Sequence, residues 1–268
     1  MKQTASGVGE LLRTWRHRRK LSQLDLALEA GISARHLSFL ETGRSQPSRE
    51  MVLSLAERLT VPLREQNALL IAAGYAPVFL ERSLTDPALS AARQAVELVL
   101  SGHEPYPALA IDRHWTMVAA NRAIAPLLGG IVSDLLRPPV NVLRLSLHPE
   151  GLAQRITNLP QWRTHLLDRL RQQTDSTADP VLQELYQELL NYPAPHPRPA
   201  ASFSLPGQNA EIVVPLQLTT SSGSLTLLST TTVFGMPLDV TLSEIAVEAF
   251  FPADDASAAI LREFAASP

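Results

Sequence analysis

Cysteine is absent from this chain of 268 residues. Its absence excludes disulfide bonds, thiol catalysis, iron–sulfur clusters and zinc sites built on cysteine. Lysine is nearly absent, because the sequence holds only Lys2 and Lys20. A Ser–Lys catalytic dyad or a Schiff-base lysine is therefore impossible in the rest of the chain.

Long apolar runs are absent as well. No stretch approaches the ~20 apolar residues of a membrane-spanning helix. The first residues, MKQTASGVGELLRTWR, lack the apolar core of a signal peptide. We therefore expect a cytoplasmic protein without a membrane partner.

Signatures of catalysis are missing too. The histidines do not fall at metal-binding spacings, and no GxSxG elbow, phosphate loop or dinucleotide fingerprint occurs. Carboxylates such as Glu184 and Glu188, at helical spacing, are typical of a solvated helix face. The sequence predicts a protein that is not an enzyme and that has no cofactor and no metal site.

Positive charge is concentrated near the start of the chain. Residues 1–82 hold 12 of the 23 basic and 8 of the 26 acidic residues, a net charge of +4, whereas the remainder carries −7. A basic segment joined to an acidic body favours binding of nucleic-acid phosphates by that segment.

Residues 21–47, LSQLDLALEAGISARHLSFLETGRSQP, predict two short helices joined by a turn at Gly31. Ser22 and Ser33 suit helix N-caps, since a hydroxyl accepts hydrogen bonds from first-turn amides. This is the layout of a helix-turn-helix, whose second helix enters the DNA major groove. The same hairpin also occurs in proteins that never bind DNA, and the charge and the helical context favour the DNA-binding interpretation.

Flanking segments predict three further helices. One covers Leu11 to Arg19, another follows a Ser48 cap, and a third follows Pro62. We expect an all-α five-helix domain over residues 1–76, followed by a linker and connecting helix over residues 77–102.

Residues 103–268 predict an α+β domain with a mostly antiparallel sheet. The string ALAIDRHWTMVAANRAIAPLLGG indicates strand, turn, strand and helix, an order that resembles the opening hairpin of a PAS-like fold. Residues 161–191 indicate two helices split by the loop TDSTADP. Three alternating stretches after residue 209 indicate further strands, with helices covering one face of the sheet.

Longer strings resemble a known family. The pair Ser22-Gln23, the triplet Gly31-Ile32-Ser33 and the string LETGR with Pro47 resemble the XRE-type (lambda-repressor-like) helix-turn-helix. HLSFLETGRSQPSRE, WTMVAANRAIAPLL, NVLRLSLHPEGL and FGMPLDVTLSEIAVEAFFPAD are similar to MmyB-like bacterial transcription regulators and their ligand-binding domain. The resemblance covers nearly the whole chain.

That resemblance implies roles in DNA binding. Arg35 is the candidate for reading guanine through a bidentate contact, and Ala34 and Phe39 for meeting thymine methyl groups. Arg16 and Glu41 are implied to form a partly buried ion pair. His36 is either a groove residue or a solvated surface residue. The complete predicted DNA-binding set is Lys20, Gln23, Ser33, Ala34, Arg35, His36, Ser38, Phe39 and Arg44.

A PAS-like sheet with helices on one face predicts an apolar cavity between them. The resemblance implies an elongated, fatty-acid-like ligand whose carboxylate an arginine or histidine would hold. Two interpretations stay open, since Trp115 and Leu145 also suit a plain core and Asn121 a turn. The predicted ligand-binding set is Trp115, Met117, Asn121, Arg122, Leu128, Leu145, His148, Leu152, Arg155, Phe203 and Phe234.

Together these features predict a sequence-specific transcription regulator that binds double-stranded DNA as a homodimer and responds to an apolar, fatty-acid-like effector. One alternative makes the PAS-like domain a dimerisation or protein-docking module without a small-molecule ligand. A second makes it a haem or flavin sensor with His103, His114 or His148 as ligand.

Overall fold

The computed structural model describes residues 7–193, 214–234 and 239–266. These residues form two compact units. The head unit contains residues 7–83 together with 175–177 and 239–243, and the sheet unit contains the other described residues.

The head unit opens with five helices, as the sequence predicts. They are α1 (Val8–Arg18), α2 (Gln23–Glu29), α3 (Ala34–Glu41), α4 (Arg49–Arg58) and α5 (Leu63–Ala72). The hydroxyls of Ser22, Ser33 and Ser48 each accept a hydrogen bond from the backbone N–H three residues ahead. These caps fix where α2, α3 and α4 begin, because each satisfies an amide that the first helical turn leaves without a partner.

The core of the head unit brings α1 very close to α3. Leu12, Leu37 and Leu40 are completely or almost completely buried between the helices. A Cβ atom on Gly9 would lie 2.3 Å from the carbonyl oxygen of Leu40 and 2.8 Å from that of Glu41. Only glycine fits this crossing, because any side chain there would overlap the backbone of α3.

The sheet unit contains a five-stranded sheet in the order β2-β1-β5-β4-β3, with every neighbouring pair antiparallel. The strands are β1 (Ala108–Ile111), β2 (Met117–Ala120), β3 (Leu216–Thr220), β4 (Gly223–Val233) and β5 (Ala246–Pro252). This confirms the predicted α+β class. In the centre of the sheet, Glu248 lies opposite Leu109 on one side and Thr231 on the other.

Helices lie at both faces of that sheet. The described helices that follow α5 are α6 (Ser90–Gly102), α7 (Val142–Leu147), α8 (Leu159–Thr177), α9 (Pro180–Leu190), α10 (Val240–Ser243) and α11 (Asp255–Ala266). Of these, α10 and the last three residues of α8 belong to the head unit and not to the sheet unit. Short 3-10 helices cover Pro87–Leu89, Arg122–Leu128, Ser133–Leu136 and Leu152–Gln154.

The second covered face differs from the prediction of helices on one face only. Val96 and Leu100 of α6 belong to the same buried cluster as Ala108 and Val247 of the sheet. All four residues of β1 are buried. An uninterrupted apolar run such as ALAI fits a strand covered on both sides, since each successive side chain alternates between the faces.

Two local predictions were wrong. The stretch TDSTADP is not a loop: α8 runs to Thr177, and only Ala178, with a φ of +60°, and Asp179 separate it from α9. The stretch LDVTLSEIAVEAFFP was predicted to form a strand throughout, but its residues 240–243 form the helix α10, which begins where the Asp239 carboxylate accepts a hydrogen bond from the Thr241 N–H.

Candidate functional site

The outer surface of α3 carries the residues predicted to read DNA. Leu37 and Leu40 are buried and hold the helix against the core. The N-cap Ser33 and the side chain of Arg35 are exposed on the opposite surface. His36, Ser38 and Phe39 are half-buried there, whereas Ala34 is half-buried and packs against the core of the head unit. This polar surface on a rigidly packed helix has the form that a groove-reading helix requires.

Two arginines lie close to the ring of Phe39 on that surface. The guanidinium carbon of Arg35 lies 5.4 Å from the centre of the Phe39 ring, and that of Arg44 lies 6.0 Å from it. The Phe39 carbonyl accepts hydrogen bonds from the N–H groups of Arg44 (2.9 Å) and Ser45 (3.1 Å). Two guanidinium cations therefore lie at one aromatic ring. This arrangement suits DNA binding, in which one cation contacts a base edge and the other a phosphate.

A buried ion pair joins α1 to α3. Arg16 donates from Nε to Oε1 of Glu41 at 2.6 Å and from Nη2 to Oε2 at 2.8 Å, with side-chain exposures of 6% and 1%. Burial acts to raise the pKa of the Glu41 carboxyl, but hydrogen bonds from Arg16 and Gln23 and the charge of Arg16 outweigh it, so this pKa lies below its usual value. The pair implied by the resemblance is thus present.

Gln23 takes part in the same network. Its Nε2 donates to Oε2 of Glu41 at 2.8 Å, which ties the start of α2 to α3. The exposed Lys20 precedes it in the left-handed conformation, with a φ of +56°. Gln23 is the first residue of α2 and Lys20 lies three residues before it, and the contact of either residue with DNA stays a prediction.

The sheet unit contains an apolar cavity that is partly open to solvent. Its floor is the sheet face that carries Leu109, Leu218 and Phe250, and its walls come from the β1–β2 turn, the 3-10 helix Arg122–Leu128, α7 and α8. Pockets that bind small molecules are typically lined mostly by apolar side chains, as this one is.

Five residues of the predicted ligand-binding set line this cavity: Trp115, Met117, Leu128, Leu145 and Leu152. Trp115 lies at the turn between β1 and β2 with a φ of +64°. Its Nε1 donates to Gln173 Oε1 at 2.7 Å, which fixes the ring in the wall. The structure brings these residues together, and their contact with a ligand stays a prediction.

Asn121 and Arg122 do not line the cavity. Nδ2 of Asn121 donates to the carbonyls of Leu100 and Tyr106, and its Oδ1 accepts from the Ala108 N–H, so the side chain fastens the end of α6 to β1. The Arg122 side chain is 92% exposed and pairs with Glu104.

The other predicted polar residues are also engaged elsewhere. Arg155 donates to the carbonyls of Leu127, Gly129 and Thr219, and His148 packs edge-on against Tyr192. Phe234 packs with the cluster on the α6 face of the sheet. Phe203 lies outside the described residues.

Sequence reasoning missed the charged groups that line the cavity, Arg169 on α8 and Glu248 on β5. Arg169 Nη2 donates to Glu248 Oε1 at 2.6 Å, and Thr231 Oγ1 donates to the same oxygen at 2.7 Å. The Arg169 guanidinium also lies 4.8 Å from the Trp115 ring centre. The available signal was a glutamate two residues before Phe250 on the inward face of an apolar strand.

The three histidines considered as haem or flavin ligands do not line the described part of the cavity. His103 contacts the Phe250 carbonyl through Nε2, and His114 pairs with Asp179 at 2.8 Å. Across residues 7–193, 214–234 and 239–266, no group of three or more potential ligands is placed to hold a metal ion. Within the same ranges no helix is both long and apolar enough to cross a membrane.

Comparisons with known proteins match both parts of the chain. A family model described as the MmyB-like transcription regulator ligand binding domain matches residues 92–264. A helix-turn-helix model matches residues 12–66. The solved structure of the clp gene regulator ClgR from Corynebacterium glutamicum is 28% identical, covers 37% of this chain and 90% of that chain, and has a TM-score of 0.22. None of the curated proteins that were compared matches the chain.

Proposed function

This chain belongs to the MmyB-like transcription regulators, a family of DNA-binding proteins with a ligand-binding domain, and we propose that its cavity binds an elongated apolar effector that controls DNA binding by α3. The observation that carries the proposal is the apolar cavity within the segment matched as a ligand-binding domain. Its apolar lining suits a fatty-acid-like chain.

The DNA-binding half of the proposal rests on the surface of α3. One helix contacts too few bases for specificity in a genome, so we propose that a cytoplasmic homodimer reads two half-sites about one helical turn apart. An effector that binds two arrangements of the dimer with different affinity would shift the population between them. Differential affinity is required, because equal binding to both arrangements shifts nothing.

Substitution of the two arginines at Phe39 tests base reading. Arg35→Ala is expected to weaken binding to an operator selected from random DNA by about 5- to 150-fold, equivalent to ~1–3 kcal/mol, and to relax base choice. Arg44→Ala is expected to weaken selected and random DNA alike, because a phosphate contact carries no sequence information. Fluorescence anisotropy with both DNA duplexes at several salt concentrations measures the two effects.

Arg35→Lys is the matched control, since lysine keeps the charge and loses the bidentate geometry. It should retain random-DNA binding while losing operator preference. Equal loss on both duplexes from Arg35→Ala would remove Arg35 from base reading. Sedimentation of the wild-type complex checks the dimer, and one chain per operator would rule out the half-site arrangement.

The effector half of the proposal is tested by mass spectrometry of the organic extract from freshly purified protein. A stoichiometric long-chain molecule is expected, because burying an apolar chain against apolar walls is favourable enough to retain it through expression and purification. Extract from a Leu145→Trp variant serves as the control, since the larger side chain occupies cavity space. An empty wild-type extract, together with no uptake of added long-chain probes, would favour the dimerisation or docking role instead.

A further inference from the structure

Glu248 is a carboxylate in an otherwise apolar cavity. Its side chain is 6% exposed and shares the inward face of β5 with Phe250. Both its oxygens accept from Arg169, at 2.6 Å and 3.4 Å, and one also accepts from Thr231. Glu248 therefore forms a buried ion pair with Arg169, and a buried charge without such a partner would cost several kcal/mol.

The pair makes the polar end of the cavity electrically balanced. Arg169 contributes one positive charge and Glu248 one negative charge, and both line the cavity. The nearby His165 does not change this sum at neutral pH, since burial and the charge of Arg169 lower its pKa. The adjacent Asp168 is exposed and paired with Arg171. The third polar lining residue, Ser146, is an uncharged hydroxyl.

An ionised head group would disturb that balance. A carboxylate beside Arg169 would also lie beside Glu248, and the three groups together would carry one unpaired negative charge in an apolar enclosure. An uncharged head group avoids this cost, because a hydroxyl or amide donates to Glu248 or accepts from Arg169 without adding charge. The Arg169–Glu248 pair therefore favours an uncharged head group over an ionised carboxylate, a preference that apolar walls alone would not produce.

We propose that the effector is a long-chain amphiphile whose head group is uncharged and forms hydrogen bonds, as in a long-chain alcohol, an acylglycerol or an acyl amide. This rests on the proposed function and narrows its fatty-acid-like effector to a class without an ionised carboxylate. Glu248 is the residue that sets the preference, by rejecting a second anion.

Three probes with the same chain test the proposal on the full-length protein: tetradecanol, tetradecanoate and tetradecylammonium. Trp115 and Trp162 both line the cavity, so their fluorescence reports occupancy. In mildly alkaline buffer, below the aggregation concentration of each probe, wild-type protein is expected to bind tetradecanol at least about tenfold more tightly than either charged probe, tetradecanoate or tetradecylammonium. Wild-type protein that binds tetradecanoate equally well or better overturns the proposal.

Glu248→Gln supplies the second measurement. It keeps the size of the side chain and removes the negative charge, so Arg169 becomes free to pair with a ligand carboxylate. The preference should reverse, with tetradecanoate gaining about tenfold or more relative to tetradecanol. Glu184→Gln on α9, an exposed carboxylate outside the cavity, should leave the preference unchanged.

An unchanged preference in folded Glu248→Gln contradicts the role of Glu248. If that variant does not fold, the ranking of the three probes by wild-type protein still decides the proposal. Failure of wild-type protein to bind any of the probes is a different result, since it removes the effector-binding function on which this inference rests.

Discussion

Replacing Glu41 with alanine is expected to destabilise the head unit by about 3–5 kcal/mol, because it leaves the Arg16 guanidinium buried without its counter-charge. The substitution also removes the acceptor of the Gln23 side chain. Both losses fall between α1, α2 and α3, so α3 should lose its support. Urea unfolding of the full chain, followed by hydrogen exchange in the α1 and α3 peptides, measures the effect.

The exposed Glu57 on α4 offers a matched control, and Glu57→Ala should change stability by no more than about 0.5 kcal/mol. Acid provides a second check. Since folding lowers the pKa of Glu41, its contribution is present above the unfolded value of about 4.3 and is lost as the pH falls through the folded-state value. The gap between wild type and Glu41→Ala should therefore close in acid. A gap that persists at low pH, or a loss below about 1 kcal/mol at neutral pH, would contradict this account.

The second large effect is expected from Trp162→Ala in the sheet unit, with a loss of about 3–5 kcal/mol. Trp162 is 4% exposed, packs in the main core cluster and lines the cavity. Its Nε1 donates to Ser146 Oγ at 3.0 Å, so truncation also removes a donor from a buried hydroxyl. Hydrogen exchange in the α7 and α8 peptides during urea unfolding localises the loss.

Trp162→Phe separates the two contributions. Phenylalanine keeps an aromatic ring in the wall but cannot donate to Ser146, so it should cost clearly less than alanine. If both variants lost the same stability, the hydrogen bond rather than the packed ring would dominate. If neither lost more than about 1 kcal/mol, Trp162 would not be part of a tightly packed wall.

Local chemistry explains why the helix-turn-helix was predictable from sequence. Each cap depends on a serine and an amide three residues away, and the turn at Gly31 requires a positive φ, which is +67° in the structure. The five helices and the antiparallel sheet were predicted from such local signals, and the structure confirms both. The packing of α6 on the second face of the sheet was not predicted. That face is formed by β1 and β5 together, and β5 is distant from both α6 and β1 in the sequence.

The polar end of the cavity could not be predicted for a related reason. Arg169 and Glu248 are 79 residues apart in sequence and meet only when α8 packs over β5. Conversely, Asn121 and Arg155 have the chemistry to bind a ligand, yet their nearest partners are backbone carbonyls. Polarity identified candidate residues, but the fold decided which of them face the cavity.

The close packing of α1 on α3 depends on the absence of a side chain at Gly9. The carbonyl oxygens of Leu40 and Glu41 occupy the space where a side chain at position 9 would lie. Even a methyl group at position 9 is expected to push the end of α3 away from α1. The tilt of the helix would then move Arg35 and Phe39, although both are distant from position 9 in the sequence. A genetic screen for loss of operator recognition is therefore expected to recover substitutions at both Gly9 and Arg35. Those at Gly9 would act by displacing α3, and those at Arg35 by removing the proposed base contact.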